Sequence, residues 1–250
     1  MPDQLAHYLY GREMVRRAGL ARRIDADSAV FRAGTFGPDP LFNDPRGNIR
    51  RLGLGMHKRP GREPMELLRR AVRDELPQAE AYAAGFFCHY ALDRICHPLL
   101  YGMERRGEAK HVATETAFDR ILYKKKLGKL RLSLSLGDDA CRAAVQIYPS
   151  LSPTDFQRDI NLYLVLRRIM SSSGTPLAAV SAAVLPKYRG LVPFSTPDAQ
   201  TQRGIERLEQ VMRDNIDLAS EQLKRFFDAI DRNTALDPWL DADFAGNIKR

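Results

Sequence analysis

The 250-residue chain is poor in cysteine and tryptophan, with three cysteines and one tryptophan. A small, odd number of cysteines provides no disulfide framework and is typical of proteins whose thiols stay reduced. Cys88 and Cys96 fall in one predicted helix. Their eight-residue spacing separates them by about 12 Å of helical rise, which is too far for a disulfide. We therefore expect free thiols, and we exclude the small secreted domains that disulfides stabilise.

Long apolar runs are also missing. The most apolar stretches, AYAAGFFCHYAL and PLAAVSAAVLP, are shorter than the roughly eighteen residues that a membrane-spanning helix needs. The first residues, MPDQLAHYLYGREMVRR, lack the cationic start and apolar core of a secretory signal. We therefore expect buried helices in place of membrane spans, and a cytoplasmic location.

Acidic residues are fewer than basic ones, 31 against 39, which gives a net charge of +8. This balance favours anionic partners such as phosphate esters, nucleic acids or acidic lipid surfaces, but a basic surface without a specific partner fits it equally well.

The run KKKLGKLR, with Lys124, Lys125, Lys126, Lys129 and Arg131, suits peripheral contact with an acidic membrane, although a solvated helix end is more typical. No RNP-type or helix-turn-helix pattern marks a dedicated nucleic-acid module.

Helical periodicity dominates the chain and predicts a single all-α domain over 1–250. The predicted helices are 3–19, 64–76, 79–103, 108–127, 138–148, 153–170, 176–186 and 199–232. The most apolar of them, 79–103, is expected at the centre of the bundle, with Pro98 kinking or ending its regular part. Residues 33–63 are dense in Gly, Pro, Asn and Asp and predict a long loop, which in a compact domain is usually functional. Residues 236–250 are expected to be irregular.

Histidines and carboxylates occur at spacings that suit a metal site. His89, Asp93 and His97 follow one another at intervals of four, which places them on one face of the most apolar helix. Two imidazoles and a carboxylate are costly to bury without a partner, and both groups are common zinc ligands. The triplet therefore indicates a metal site. His111 and Glu115 repeat the spacing on the next helix, but alone they are more typical of a solvated pair.

The other two histidines, His7 and His57, are isolated, and each alone is more typical of a core or surface residue. In chain order, however, the series resembles the bacterial zinc-dependent phospholipase C family, which is related in fold to the fungal single-strand-specific nucleases. The series is His7, GPDP with Asp39, Met56-His57, His89-x3-Asp93-x3-His97 and His111-x3-Glu115. Four longer sequence segments fit the family as well: HYLYGREMVRR, FRAGTFGPDPLF, YAAGFFCHYALDRICHPLLY and HVATETAFDRILY. The resemblance covers residues 1–123, and every histidine falls on a motif position.

The resemblance implies an all-α domain with its metal ligands in 1–123 and supporting helices in 124–250. It assigns Asp39, His57, His89 and Asp93 to one zinc, Asp93 and His7 to a second, and His97, His111 and Glu115 to a third. It further implies phosphoester hydrolysis by water activated at paired metal ions. Asp39 would be both ligand and general base, although an aspartate in GPDP is by default a turn residue. Asp44, in LFNDP, is the second candidate for the base.

The N-terminus departs from the family's pattern. In the family, the mature N-terminal residue, usually Trp, completes the site of the His7-type ligand with its amine and carbonyl. The one tryptophan here is Trp239. Either the Pro2 amine, exposed by removal of Met1, or the Asp3 carboxylate would complete the site. With neither, the chain would hold two metals, or one tightly and one loosely. We therefore expect two or three zinc ions.

Two classes of function remain open. The first is a zinc-dependent phosphoester hydrolase of the phospholipase C type, acting on a phospholipid, a nucleotide or a small phosphoester, with a nuclease or nucleotidase activity as a variant. The second is a metal-stabilised helical module that binds a partner or lipid and has weak or no activity. The basic residues of the Gly/Pro-rich segment suit attraction of a phosphate and a solvated loop equally well. They are Arg46, Arg50, Arg51, Lys58 and Arg59.

Overall fold

The computed structural model describes residues 4–126, 134–171 and 197–248. Within these ranges the chain forms helices and no strand, apart from an isolated antiparallel bridge between Ala242 and Ile248. The α-helices of the described ranges are α1 (Gln4–Arg17), α2 (Ala29–Gly34), α3 (Gly47–Met56), α4 (Arg62–Arg73), α5 (Ala79–Arg105), α6 (His111–Lys126), α7 (Asp138–Val145), α8 (Pro153–Ser171) and α9 (Ala199–Asp231). Short 3₁₀ turns span Asp39–Asn43 and Pro238–Asp241. The predicted all-α fold is confirmed.

Several sequence-based expectations concern residues outside the described ranges. They are the helix at 176–186, the first residue of the predicted helix 3–19 and the basic residues Lys129 and Arg131. The extent of a single domain over 1–250 stays a prediction. None of the described helices combines the length and hydropathy that crossing a membrane requires. All three cysteines are buried and free, as expected.

Helix α5 is the central element, packed against α1, α2, α4, α6, α7 and α9. An apolar sequence around its whole circumference suits a helix that is surrounded by others. Its closest neighbour is α2: a Cβ on Gly85 would lie 2.1 Å from the Phe31 carbonyl oxygen, so only glycine permits the contact. The helix continues through Pro98 to Arg105, so Pro98 does not end it. The loss of one amide donor is tolerated because packing holds both halves.

The prediction of a loop over 33–63 is wrong, because this segment contains the end of α2, the turn Asp39–Asn43 and all of α3. In α3, Ile49 and Met56 face the core. Gly53 lies so close to the turn that a Cβ would be 2.9 Å from the Leu41 side chain. By its conformational propensity, Gly53 suggests a loop. In the structure, its missing side chain instead allows α3 to pack tightly on the segment that carries Asp39.

Residues 236–248 return across α4 and α5, and we call this segment the strap. Arg62, at the start of α4, donates hydrogen bonds to the carbonyls of Leu236 and Asp237 and forms an ion pair with Asp241. Tyr90 on α5 donates its hydroxyl proton to the Ala242 carbonyl at 2.9 Å. Apart from its 3₁₀ turn and one bridge, the strap is irregular over the described residues, as expected.

Candidate metal centre

Side chains from five elements of the chain converge beside the middle of α5. The eight predicted donors all take part: His7 from α1, Asp39 from the 3₁₀ turn, His57 from the end of α3, His89, Asp93 and His97 from α5, and His111 and Glu115 from α6. Seven of them are buried. The side chain of His57 is 15% exposed, so the centre meets solvent beside the C-terminal end of α3.

The donor atoms form three groups, and within each group they lie less than 4.8 Å from one another. The groups are His7, His89 and Asp93; Asp39, His57 and His89; and His97, His111 and Glu115. The first two share His89. The third is the set that the resemblance implied for one zinc ion. Along α5, His89 and Asp93 therefore share one group, and His97, four residues further on, belongs to another.

Asp93 is the centre of the arrangement and is fully buried. Its Oδ1 lies 3.3 Å from His7 Nε2 and 3.7 Å from His97 Nε2. Its Oδ2 lies 3.3 Å from His89 Nε2 and 3.5 Å from His57 Nε2. Each carboxylate oxygen thus faces two imidazoles on its own side, which is the arrangement that a ligand shared between two metal ions needs.

Backbone carbonyls orient three of the imidazoles. The Nδ1 atoms of His57, His89 and His97 lie 3.2, 3.2 and 3.0 Å from the carbonyl oxygens of Gly53, Thr35 and Phe244, respectively. Because a carbonyl only accepts hydrogen bonds, Nδ1 must carry the proton in each ring. In the neutral ring the lone pair is then on Nε2, which points into the centre and is ready to bind a metal.

Burial keeps most of the imidazoles neutral. It lowers the pKa of His7 to about 4, aided by the neighbouring His89, and lowers that of His97 to about 4 and that of His111 to about 2. For His57, burial acts in the same direction, but the carboxylates of Asp39 and Asp93 outweigh it and raise the pKa to about 9. Three donors are therefore ready for a metal at neutral pH, and His57 must first release a proton.

The two aspartates stay ionised despite their burial. Burial alone would raise their pKa values, but His89 and His57 lower the pKa of Asp39, and His97 and His89 lower that of Asp93 well below its ordinary value. The centre therefore combines buried carboxylate anions with imidazole donors. This is the charge and donor type that zinc selects.

Several buried polar atoms of the centre have no hydrogen-bond partner. Among them are His7 Nδ1 and Nε2, Asp39 Oδ1 and Oδ2, His57 Nε2, His89 Nε2, Asp93 Oδ1 and Oδ2, and His97 Nε2. An unsatisfied buried polar atom costs about 1–3 kcal/mol, which a bound metal would remove. Two ligands at about 2.0 Å from a tetrahedral zinc are about 3.3 Å apart. The His7–Asp93, His57–Asp39 and His89–Asp93 distances are each 3.3 Å, so the donors fit zinc.

A scan against known protein families matches residues 6–160 to the family described as zinc dependent phospholipase C. The chain belongs to this family. All eight donors lie inside the matched range, which extends beyond the segment 1–123 that carried the resemblance. No curated protein and no solved structure matches the chain. Membership in the zinc-dependent phospholipase C family indicates a zinc-dependent phosphoesterase of the phospholipase C type and leaves its substrate open.

Asp44, the second candidate for the general base, belongs to none of the three donor groups. Its carboxylate instead accepts hydrogen bonds from Arg46 and Arg158. Burial would raise its pKa, but Arg46 outweighs burial and lowers it to about 2. The Pro2 amine and the Asp3 carboxylate lie outside the described residues, so both ways of completing the His7 group stay predictions.

Sequence reasoning missed the residues that support the donors. Gly37 has a positive φ of 54°, and a Cβ there would lie 2.2 Å from the His89 ring. The hydroxyl of Tyr148 donates to the Gly37 carbonyl at 3.1 Å and so fixes the segment that leads to Asp39. The position of Gly37 directly before PDP is a signal that could have been read. Nothing in the spacing pointed to Phe244, because no periodic pattern connects the strap to α5.

Proposed function

We propose that the protein is a zinc-dependent phosphodiesterase that hydrolyses the phosphodiester bond of phospholipids. The observation that carries this proposal is Asp93, whose two oxygens each face two imidazoles at 3.3–3.7 Å. A zinc ion used only for stability needs one closed set of four ligands. A carboxylate placed between donor groups instead suits the paired ions that assist phosphoryl transfer.

The donor groups of this chain would hold the ions. Asp39, His57 and His89 would bind one ion. Asp93 belongs to the group of His7 and His89 but also lies 3.5 Å from His57 Nε2, so it would contribute to both sites. The third group, His97, His111 and Glu115, would bind another. When bound, zinc would lower the pKa of water and polarise a phosphoryl oxygen.

Asp39 is the proposed general base. Its pKa is lowered, so its carboxylate is ionised at neutral pH and able to accept a proton. Its Oδ1 lies 3.3 Å from His57 Nε2, and its Oδ2 has no hydrogen-bond partner. Because His57 is the donor that meets solvent, this edge of the centre is where water and the phosphodiester would enter.

The exposed residues on α3 and directly after it support the proposal that the substrate is anionic and carries a lipid. Arg50, Arg51 and Lys58 are exposed and form no ion pair with any residue of the described ranges. Leu54 lies among them and is 43% exposed. Cations around an apolar side chain, next to the exposed edge of His57, suit the surface of an anionic membrane.

The test is a panel of substrates offered to the zinc-loaded protein and to the Asp93→Asn and Glu115→Gln variants. The panel is phosphatidylcholine and phosphatidylglycerol vesicles, a soluble nitrophenyl phosphodiester, a nucleoside monophosphate and single-stranded DNA. We expect release of diacylglycerol from vesicles. Asp93→Asn should reduce kcat/KM by about 100-fold or more, because it removes a charge that faces all four imidazoles. Glu115→Gln, which acts in one group, should cost less.

Three outcomes would contradict the proposal. Equal and small losses in Asp93→Asn and Glu115→Gln would contradict the shared role of Asp93. Cleavage of DNA or a nucleotide without cleavage of phospholipid would favour the nuclease or nucleotidase alternative. Zinc binding without hydrolysis of any phosphoester, or one zinc or none per chain, would favour the metal-stabilised binding module.

A further inference from the structure

One residue of the strap, Phe244, reaches the centre and is completely buried. Its carbonyl oxygen lies 3.0 Å from His97 Nδ1 and can accept the ring proton. Its backbone N–H donates to the carbonyl of His57 at 3.3 Å. One residue therefore makes backbone contacts to two donors, which come from different elements and different donor groups.

The ring of Phe244 fills the space behind the imidazoles. Its centroid lies 4.9 Å from that of His57 and 5.9 Å from that of His89. On the other side it packs edge-on against Tyr90 at 5.0 Å. The His97–Phe244 hydrogen bond is buried, and in such an environment its loss is costly.

A closed turn holds Phe244 in this position. The Oδ1 atom of Asp243 accepts hydrogen bonds from the backbone N–H groups of Ala245 and Asn247, both at 2.9 Å. The N–H of Asp243 donates to the Asn247 carbonyl at 2.8 Å. Gly246 adopts a φ of 78°, and a Cβ there would lie 3.1 Å from Pro98. The turn is therefore closed by its own hydrogen bonds, and it packs on α5 at Pro98, the residue that follows His97.

We propose that the strap is part of the metal centre and that Phe244 is a positioning residue for His97. Its carbonyl fixes the ring plane and the tautomer of His97, and so sets the zinc affinity of the group formed with His111 and Glu115. The strap lies beyond residue 160, where the family match ends. This inference rests on the zinc binding proposed above, and its test separates the two.

The test measures zinc content per chain and zinc affinity by competition with a chromophoric chelator. Asp243→Ala removes the acceptor that closes the turn without touching any donor side chain. We expect one zinc equivalent to bind about 10- to 100-fold more weakly, the range seen when a partner that orients a metal ligand is lost. A chain ending at Ala242 should lose the same equivalent. Asp243→Asn keeps an acceptor oxygen and should restore most of the affinity.

A stability-matched control separates positioning from general destabilisation. Leu223→Ala on α9 creates a cavity at a fully buried apolar position that belongs to no donor group. It should lower the melting temperature but leave every zinc affinity unchanged. Wild-type zinc affinities in folded Asp243→Ala would overturn the inference, and so would equal weakening in Leu223→Ala. A wild-type chain that binds no zinc would instead overturn the proposed function. If the chain ending at Ala242 fails to fold, the zinc affinities of Asp243→Ala alone decide whether the inference holds.

Discussion

At the scale of single residues, the tightest constraint on the centre is the contact between Gly37 and His89. Any side chain at residue 37 must displace the His89 ring, because a Cβ would lie 2.2 Å from it. His89 belongs to two of the donor groups, so its displacement affects both. The residue with no side chain therefore matters here as much as a ligand.

We expect Gly37→Ala to lose zinc from both groups that contain His89. Gly19→Ala is the matched control, because Gly19 has a similar φ of 74° but no atom within 4 Å of its added Cβ. Both variants should lose about 1–2 kcal/mol of stability from the left-handed backbone alone. Only Gly37→Ala should also lose metal, as measured by zinc content after gel filtration. Full zinc content in both variants would contradict this account of Gly37.

A second residue-scale prediction concerns Asp159, buried on α8 beside Asp44 and Arg158. Burial and the neighbouring Asp44 outweigh Arg158 and raise the pKa of Asp159 to about 7, from an ordinary 3.8. Between about pH 4 and 7 the folded state therefore holds a proton that the unfolded chain has lost. The free energy of unfolding contributed by this group must fall as pH rises through that window.

Asp159→Asn should abolish this dependence, because the amide cannot titrate and can still accept from Arg158 and donate to Asp44. In urea unfolding of the metal-free protein, we expect the stability of the variant relative to the wild type to increase from pH 5 to about pH 7 and then to stay constant up to pH 8. The pKa of Asp44 is lowered to about 2, so Asp44 adds nothing to the change above pH 5. A stability difference that stays constant from pH 5 to 8 would refute the prediction.

At the scale of elements, α3 connects the donors to the surface. Its inner face packs Gly53 on the turn that carries Asp39, and its C-terminal end positions His57. Its outer face carries Arg50 and Arg51. This one helix of ten residues therefore helps to position two donors, Asp39 and His57. Its outer face would contact any membrane surface that approaches these donors.

We expect the double variant Arg50→Glu, Arg51→Glu to reduce hydrolysis of phosphatidylglycerol vesicles at least about tenfold, since each basic residue contributes about 1 kcal/mol at an anionic surface. Hydrolysis of a soluble phosphodiester should stay within about twofold of wild type. The control is Arg22→Glu, Lys224→Glu, which makes the same change in net charge at two exposed positions elsewhere. Equal effects of both double variants would mean that net charge alone is responsible.

Some elements of the fold and of the candidate site could be predicted from the sequence, and others could not. The helices with regular apolar spacing, such as 79–103, were predicted to within a few residues. The region 33–63 was not, because Gly53 indicates a loop when neighbours are ignored, whereas the structure uses it for close packing. The clustering of His89, Asp93 and His97 could be predicted because their i, i+4 spacing leaves a local signal, whereas His7, Asp39 and His57 were added to the set only by the family resemblance. The strap could not, because its contacts depend on tertiary packing.

At the scale of the whole molecule, the centre joins α1, the 3₁₀ turn, α3, α5 and α6. A ligand that binds only the folded state stabilises it by about 4 kcal/mol per site at a thousandfold excess over its dissociation constant. For a chain of this size, we expect saturating zinc to raise the melting temperature by about 10 °C over chelator-treated protein. Asp93→Asn should gain much less. Equal melting temperatures with and without zinc would show that the donors are not metal ligands.

The hydrogen bond between His97 and Phe244 joins residues 147 positions apart. On a ribosome that adds about 5–20 residues per second, Phe244 is synthesised roughly 7–30 s after His97. All eight donors can emerge and meet within that interval, while the ring of His97 still lacks its acceptor. A nascent chain can therefore acquire its first metal before the strap exists, but the group around His97 reaches its final geometry only once the strap has been made. Assembly of the centre then has an order in time, set by the direction of translation.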